Sequence, residues 1–456
     1  MTPQLLTIIV LLAMFVIATV LPINIGALAF VAAFMVGILV LGMDTDMILG
    51  GFPAGLFLTL VGVTYLFAIA KNNGTIDLLV RGATRMVGGR VAAIPWIMFG
   101  ISAVLTGVGA LGPAAVAIVA PIALSFAARY RINPLLMGMM VVHGAQGGGF
   151  SPVSVYGVTV NGIVSDSGLS VSPLTLFFGS LVFNLAIAVI LFVSLGGNRL
   201  FGVRVHDSAT ADAAVTEEAR TSGGSGHGAV ALATGGPADT PTGSGTGGSA
   251  DTTAEHQPVR FDQIATLVGI LVLGVLALGF GLDVGFVALT VSVALALVSP
   301  GSQKDVLSQI SWSTVLLITG MLTFVGVMES AGTIEYVGDA AAGLGAPLLV
   351  ALLLCYIGAV VSAFASSTAI LGATIPLAIP FLLMGDISAT GVIVALAVSS
   401  TIVDVSPFST NGALVLANAT GVDPSRFYRQ ILVYGAIVVV AGPLIAWGVL
   451  VMPGLL

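Results

Sequence analysis

The chain has 456 residues, 57% of them hydrophobic and 7% charged, with a formal net charge of −7 at pH 7. Soluble globular proteins carry about 25% charged residues, so a water-soluble fold is excluded and a polytopic membrane protein is indicated. The one cysteine, Cys355, lies in an apolar run, which leaves no disulfide framework and no cysteine metal centre, and no nucleic-acid partner is expected.

Apolar stretches of membrane-spanning length, roughly 20 residues, occur near 5–21, 24–42 and 50–70. The first lacks a basic n-region and a small-residue cleavage pattern, so it reads as a retained helix rather than a signal peptide. From Gly74 to Gly89, Ile76, Leu79, Val80 and Met86 alternate with Asp77, Arg81 and Arg85 at near-helical spacing, as in a helix lying on the membrane surface. The apolar segment 91–128 is too long for one helix and too short for two crossings, and Gly107–Pro113 interrupts it. A re-entrant hairpin that dips to mid-membrane and returns fits that length. A helix broken at Ser151-Pro152 follows over 134–163, then a full span near 174–195.

From about 205 to 260 the composition turns to Gly, Ala, Ser, Thr and acids. Such a stretch cannot bury enough apolar surface to order itself, and as a flexible coil it reaches ~40 Å, enough to tether two halves. The order of elements then repeats: spans near 263–280, 283–299 and 313–328, a surface helix over 332–343, a hairpin over 346–383 interrupted at Ser366-Ser367-Thr368, a broken helix over 388–420 and a last span at 428–452. Ser151, Pro152, Ser154 and Gly157 recur 255 positions later as Ser406, Pro407, Ser409 and Gly412. Pro121 and Pro376 share that interval. The fold expected is therefore all-α: two duplicated halves, 1–204 and 261–456, around the linker.

Five crossings per half is an odd number, so the copies face opposite ways, an inverted repeat of the kind secondary transporters use. Following the crossings, all 13 Lys and Arg fall on one side, while Asp44, Asp166, Asp283 and Glu335 fall on the other. The positive-inside rule then makes the basic side and the linker cytoplasmic, and both termini external, in a cell (inner) membrane protein.

The breaks carry the chemistry. Gly112-Pro113, Ser151-Pro152, Ser367-Thr368 and Ser406-Pro407 each have the composition of a helix start. Four helix N-termini meeting near the midplane, each with about half a positive charge, suit an anion. Gly112, Pro113, Ser151, Ser154, Ser366, Ser367, Thr368, Ser406, Ser409, Thr410 and Asn411 are accordingly the candidate substrate ligands. Asp404 is the only acid in the expected membrane core, and an ionised carboxylate beside an anion repels it unless Na⁺ or a proton neutralises it. That gives cation coupling a physical reason, with Asp404, Ser367 and Thr368 as candidate Na⁺ ligands and His143 and Asp404 as candidate proton carriers. Competing readings are that Asp404 merely caps a helix, that His143 is a packed histidine, and that the hydroxyls bond back to their own helices.

The stretch Thr106-Gly107-Val108-Gly109-Ala110-Leu111-Gly112-Pro113-Ala114-Ala115, with Gly74–Ile101 before it, resembles the ion transporter superfamily and its divalent anion/sodium symporters, most closely the MatC-like malonate and dicarboxylate carriers. The resemblance covers both halves but not the linker. It implies a homodimer with a fixed scaffold and a moving unit that holds both hairpins and both broken helices. Sodium-coupled relatives carry Ser-Asn-Thr at each hairpin tip; Ser366-Ser367-Thr368 is close to this, whereas Leu111-Gly112-Pro113 lacks those oxygens.

The expectation is a secondary active carrier of a small dicarboxylate such as malonate, coupled to Na⁺ or H⁺ and working by an elevator-type displacement, with no other cofactor. A cation/proton antiporter, an anion exchanger or an ion channel are the alternatives. An enzyme is not expected, because no phosphate loop, metal cluster or nucleophile elbow is found.

Overall fold

The computed structural model describes residues 2–85, 90–202, 260–303, 305–343, 347–363, 367–383, 387–419 and 422–453. Ser366 and the linker, except for Arg260, lie outside the described residues. Regular structure among those described is helical. The first half contains α1 (Pro3–Val20), α2 (Ile25–Leu39), α3 (Thr45–Gly50), α4 (Ala54–Asn72), α5 (Thr75–Arg85), α6 (Ala93–Gly107), α7 (Gly112–Arg129), α8 (Pro134–Gly148), α9 (Val155–Asp166) and α10 (Pro173–Ser194). The second contains α11 (Phe261–Gly274), α12 (Val284–Val298), α13 (Trp312–Ser330), α14 (Thr333–Gly343), α15 (Pro347–Ser362), α16 (Ser367–Leu383), α17 (Ala389–Ile402), α18 (Thr410–Ala417) and α19 (Pro424–Leu450).

Local chemistry explains the ends. Asn24, Asp44, Asn133, Asp283, Ser388 and Asp423 each accept a backbone N–H in the first turn of the helix that follows. Pro134, Pro173 and Pro424 stand at helix starts, where the missing N–H costs nothing. Two features were not foreseen: the span read as 50–70 begins only after Pro53, with Asp44 capping the separate short α3, and α11 ends in a π-turn over Val275–Gly279. Six helices among the described residues are long and apolar enough to cross a membrane: α4, α7, α10, α11 with its π-turn, α13 and α19.

The packing is reciprocal between halves. In one group α2 packs on α13 and α12 on α4. A Cβ added at Gly26 would lie 2.0 Å from the Leu316 carbonyl oxygen, and one at Gly62 would lie 2.9 Å from that of Gly285, so both crossings depend on absent side chains. The same exchange holds the helix ends: Gln263 donates to the Gly74 carbonyl, and the Gln4 amide nitrogen lies 3.6 Å from the Cβ position of Gly332. Gly74 and Gly332 themselves turn the chain at φ +76° and +70°.

In the other group each hairpin's first arm packs on its own broken helix, α6 on α8 and α15 on α17. Each second arm crosses to the other half, α7 on α18 and α16 on α9. α8 is buried from Leu135 to Gly148, and α17 from Gly391 to Ile402. A helix buried all round is a core helix. By contrast α10 and α19 present Phe178, Val182, Ile190, Ile437, Ile445 and Val449 outward, as a lipid-facing surface does.

Candidate functional site

Both expected breaks exist, but each new helix starts three residues later than the prolines suggested. α9 is capped by Ser154 and α18 by Ser409, while Ser151-Pro152 and Ser406-Pro407 lie in the turn before. The reason is a local hydrogen-bond pattern that outweighs the preference of proline for a first helical position. Ser154 N–H and hydroxyl are directed at the Ser151 carbonyl, and Ser154 Oγ accepts from Gly157 N–H. Ser409, Ser406 and Gly412 repeat this at matching distances. A Cβ at Gly157 would fall 1.9 Å from the Ser151 carbonyl oxygen, and one at Gly412 would fall 1.9 Å from that of Ser406. The glycines are required by the turn, and the two capping hydroxyls are occupied by backbone.

Two hairpin tips and two breaks converge here. At the first tip Gly112 opens α7, with Pro113 in its first turn. The Cβ position of Gly112 is 3.6 Å from Asn411 Nδ2, 4.0 Å from Asn411 Oδ1 and 4.0 Å from the Tyr156 hydroxyl. The tip is thus at the level of both breaks, as a re-entrant hairpin requires. At the second tip Ser362 donates to Ser367 Oγ at 2.9 Å, and Ser406 Oγ donates to the Ala363 carbonyl at 3.1 Å, which fastens the second break to that tip. The Tyr156 hydroxyl is hydrogen-bonded to the Thr368 side chain. Gly112, Tyr156, Thr368, Asp404 and Asn411 therefore surround one point. Thr410 is exposed beside it, and Ser151 Oγ accepts from Val153 N–H within its own turn.

Asp404 is buried, and Asn411 Nδ2 donates to its Oδ2 at 2.8 Å. The Asn411 backbone N–H lies against the same carboxylate at the start of α18. Because a carboxylate oxygen only accepts, this bond fixes the Asn411 amide and directs its Oδ1 away. That oxygen is buried and has no hydrogen-bond partner. The ion pair found among the described residues is Arg260–Asp262, so no arginine or lysine there neutralises Asp404. An orphaned acceptor beside an unpaired acid is a costly arrangement that a cation or a donor relieves. No cluster of three or more His, Cys, Asp or Glu is found among the described residues, so a cation at this point would be held by single oxygens.

His143 is in a different network. Asn184 Nδ2 donates to the Ser180 carbonyl, which fixes the amide and makes Asn184 Oδ1 the acceptor of His143 Nδ1–H at 2.9 Å. Nε2 is then the acceptor of the Tyr434 hydroxyl at 2.6 Å. One turn along α8, both side-chain atoms of buried Gln146 lack partners. Tyr156, Gln146, Asn184 and Tyr434 were not among the residues singled out from sequence. The repeat carried the signal for Tyr156, because the interval of 255 positions sets it opposite Asn411.

A cleft of ≈ 1360 Å³ leads toward the first break, with Pro152 in its wall. It runs between α4 and α12 on one side and α9 and α17 on the other, lined by Thr59, Gly162 and Thr390, with Asp166 and Asp283 at its mouth. It thus lies along part of the boundary between the two packing groups, which elsewhere touch directly, α13 on α16 and α4 on α9.

A family model described as the dicarboxylate carrier protein MatC N-terminus matches residues 1–149. No curated protein matches the sequence. The fold is similar to the crystal structure of the Alcanivorax borkumensis YdaH transporter, described as having an unusual topology, at 15% identity and a TM-score of 0.54, covering 98% of this chain and 97% of that one. The likeness to MatC-like carriers read from Thr106–Ala115 is borne out over the matched residues, and the fold is that of a helical multi-pass membrane protein similar to a solved transporter.

Proposed function

We propose that the protein is a secondary active carrier that moves a small dicarboxylate, malonate being the first candidate, together with Na⁺ or H⁺. The observation that carries this reading is the pair Asp404–Asn411, a buried acid and an orphaned amide oxygen held between both hairpin tips. An oxygen that can only accept has no use for a carboxylate, but a bound cation satisfies it and cancels the charge of Asp404. The helix starts and hydroxyls around it then become receptive to the anion. The two tips differ: Ser367-Thr368 stand at the second where Gly112-Pro113 stand at the first. Gly149 occupies the place in the first break that Asp404 holds in the second, 255 positions on. Charge on one break only supports a single principal cation site.

The hairpins and broken helices form the moving unit, the helices around α2, α4, α12 and α13 form the scaffold, and the halves are inverted copies in a homodimer. The cleft between the groups is the access path in one of two alternating states. Uptake of labelled malonate and longer dicarboxylates into proteoliposomes, with an imposed Na⁺ or proton gradient, tests it. Accumulation above equilibrium driven by either gradient is expected, and purely downhill flux insensitive to both would overturn the coupled-carrier reading.

A further inference from the structure

The outer surface of the hairpin group carries a second, unrelated feature. Along α10 and α19 runs an apolar groove of ≈ 720 Å³, with Val182, Ala186, Ile190, Ile437 and Ala441 in its walls. At the end where α10 finishes and α19 begins, a separate pocket of ≈ 680 Å³ holds Arg131, Arg199 and Arg426, contributed by three different segments. The two lie about one helical turn apart. Leu191 lines the groove and Leu195, one turn on, lines the pocket; Tyr434 lines the groove and Gln430, one turn back, lines the pocket.

We propose that these two cavities together bind one anionic phospholipid, its phosphate on the arginines and an acyl chain in the adjoining half of the groove. Charge supports this. The ion pair found among the described residues, Arg260–Asp262, involves none of the three arginines. The one acid in the pocket, Asp423, uses its carboxylate to accept from Arg426 N–H at 2.7 Å as the cap of α19. Guanidinium groups grip phosphate oxygens in pairs, and basic pockets between membrane helices are a recurrent headgroup site. Shape supports it independently, because a free anion has no use for an apolar channel that opens on the lipid-facing surface. The groove also contains Tyr434, whose hydroxyl is bonded to His143, and Ile402, the last residue of α17. A lipid seated there touches the outer end of the buried network and the approach to the second break.

The test uses purified, delipidated full-length protein and three probes: phosphatidylglycerol, phosphatidylcholine with the same chains, and inorganic phosphate. Native mass spectrometry and thermal midpoint should show retention and stabilisation by phosphatidylglycerol, less by phosphatidylcholine and none by phosphate. Changing Arg131, Arg199 and Arg426 together to Gln should cut the preference for the anionic lipid roughly tenfold, while Ala186→Trp should weaken both lipids. Equal binding of the two lipids by the unaltered protein would overturn the proposal without recourse to variants. So would a full effect from phosphate alone, which would indicate a free-anion site, or an unchanged preference in the triple variant. Should the triple variant not fold, Arg199→Gln alone gives the same comparison.

Discussion

Asp404 and Asn411 are the pair of side chains on which the proposed cation coupling rests, a buried acid held by an amide whose own oxygen has no partner. Asp404→Asn keeps size and lowers the cost of burial, but removes the charge that a cation would balance. Its expected effect is loss of most of the Na⁺ or pH dependence of transport, on the order of tenfold or more, at unchanged yield of folded protein. Full dependence on both ions in the variant would remove Asp404 from coupling, and a fall in folded protein without a coupling change would identify it as a helix cap. Tyr156 is the first-half counterpart of Asn411, and its hydroxyl meets Thr368 at the second tip. Tyr156→Phe removes one hydrogen bond, typically about 1 kcal/mol, so a rise of roughly fivefold in KM with little change in kcat is expected in initial-rate uptake. An unaltered KM would place that hydroxyl outside the substrate path.

At the scale of elements, the paired turns at 149–157 and 404–412 depend on two glycines. A Cβ at Gly412 would sit 1.9 Å from the Ser406 carbonyl oxygen, so Gly412→Ala forces the turn apart. The expected cost is about 1–3 kcal/mol, seen as a lowered thermal midpoint, whereas Gly100→Ala, with open space at that position, should be neutral or stabilising. Equal midpoints for the two variants would contradict the account of the turn. Ser-Pro-x-Ser-x-x-Gly was visible as a duplicated motif, and hydropathy alone located nearly every helix. What was not visible is where the helices restart. The sequence rule favours proline at a first helical position, but the side chains of Ser154 and Ser409 reach back to a carbonyl three residues earlier and set the start there. Likewise the polar partners of His143 come from α10 and α19, and no spacing along α8 could name Asn184 or Tyr434.

At the scale of the whole molecule, the inverted arrangement and the proposed displacement each predict a labelling or cross-linking outcome. Cysteines placed at Ser222 in the linker and Ser170 between α9 and α10 should label from opposite sides, Ser222 from the cytoplasm. Same-side labelling would undo the crossing order on which the inverted arrangement rests. Motion is tested across the cleft. The Cβ position of Gly162 on α9 lies 3.0 Å from the Leu56 side chain on α4, so the two helices touch at a place where the proposed moving unit meets the scaffold. Replacing both residues by cysteine, in a background with Cys355→Ala, puts two thiols where a disulfide can close with little backbone movement. If the unit that holds Asp404 and Asn411 must slide past α4 to carry substrate, oxidation should abolish transport and reduction should restore it, while each single cysteine remains active. A cross-linked protein that still transports would show that α4 and α9 keep their contact through the cycle, and the displacement would have to be confined to the hairpin tips.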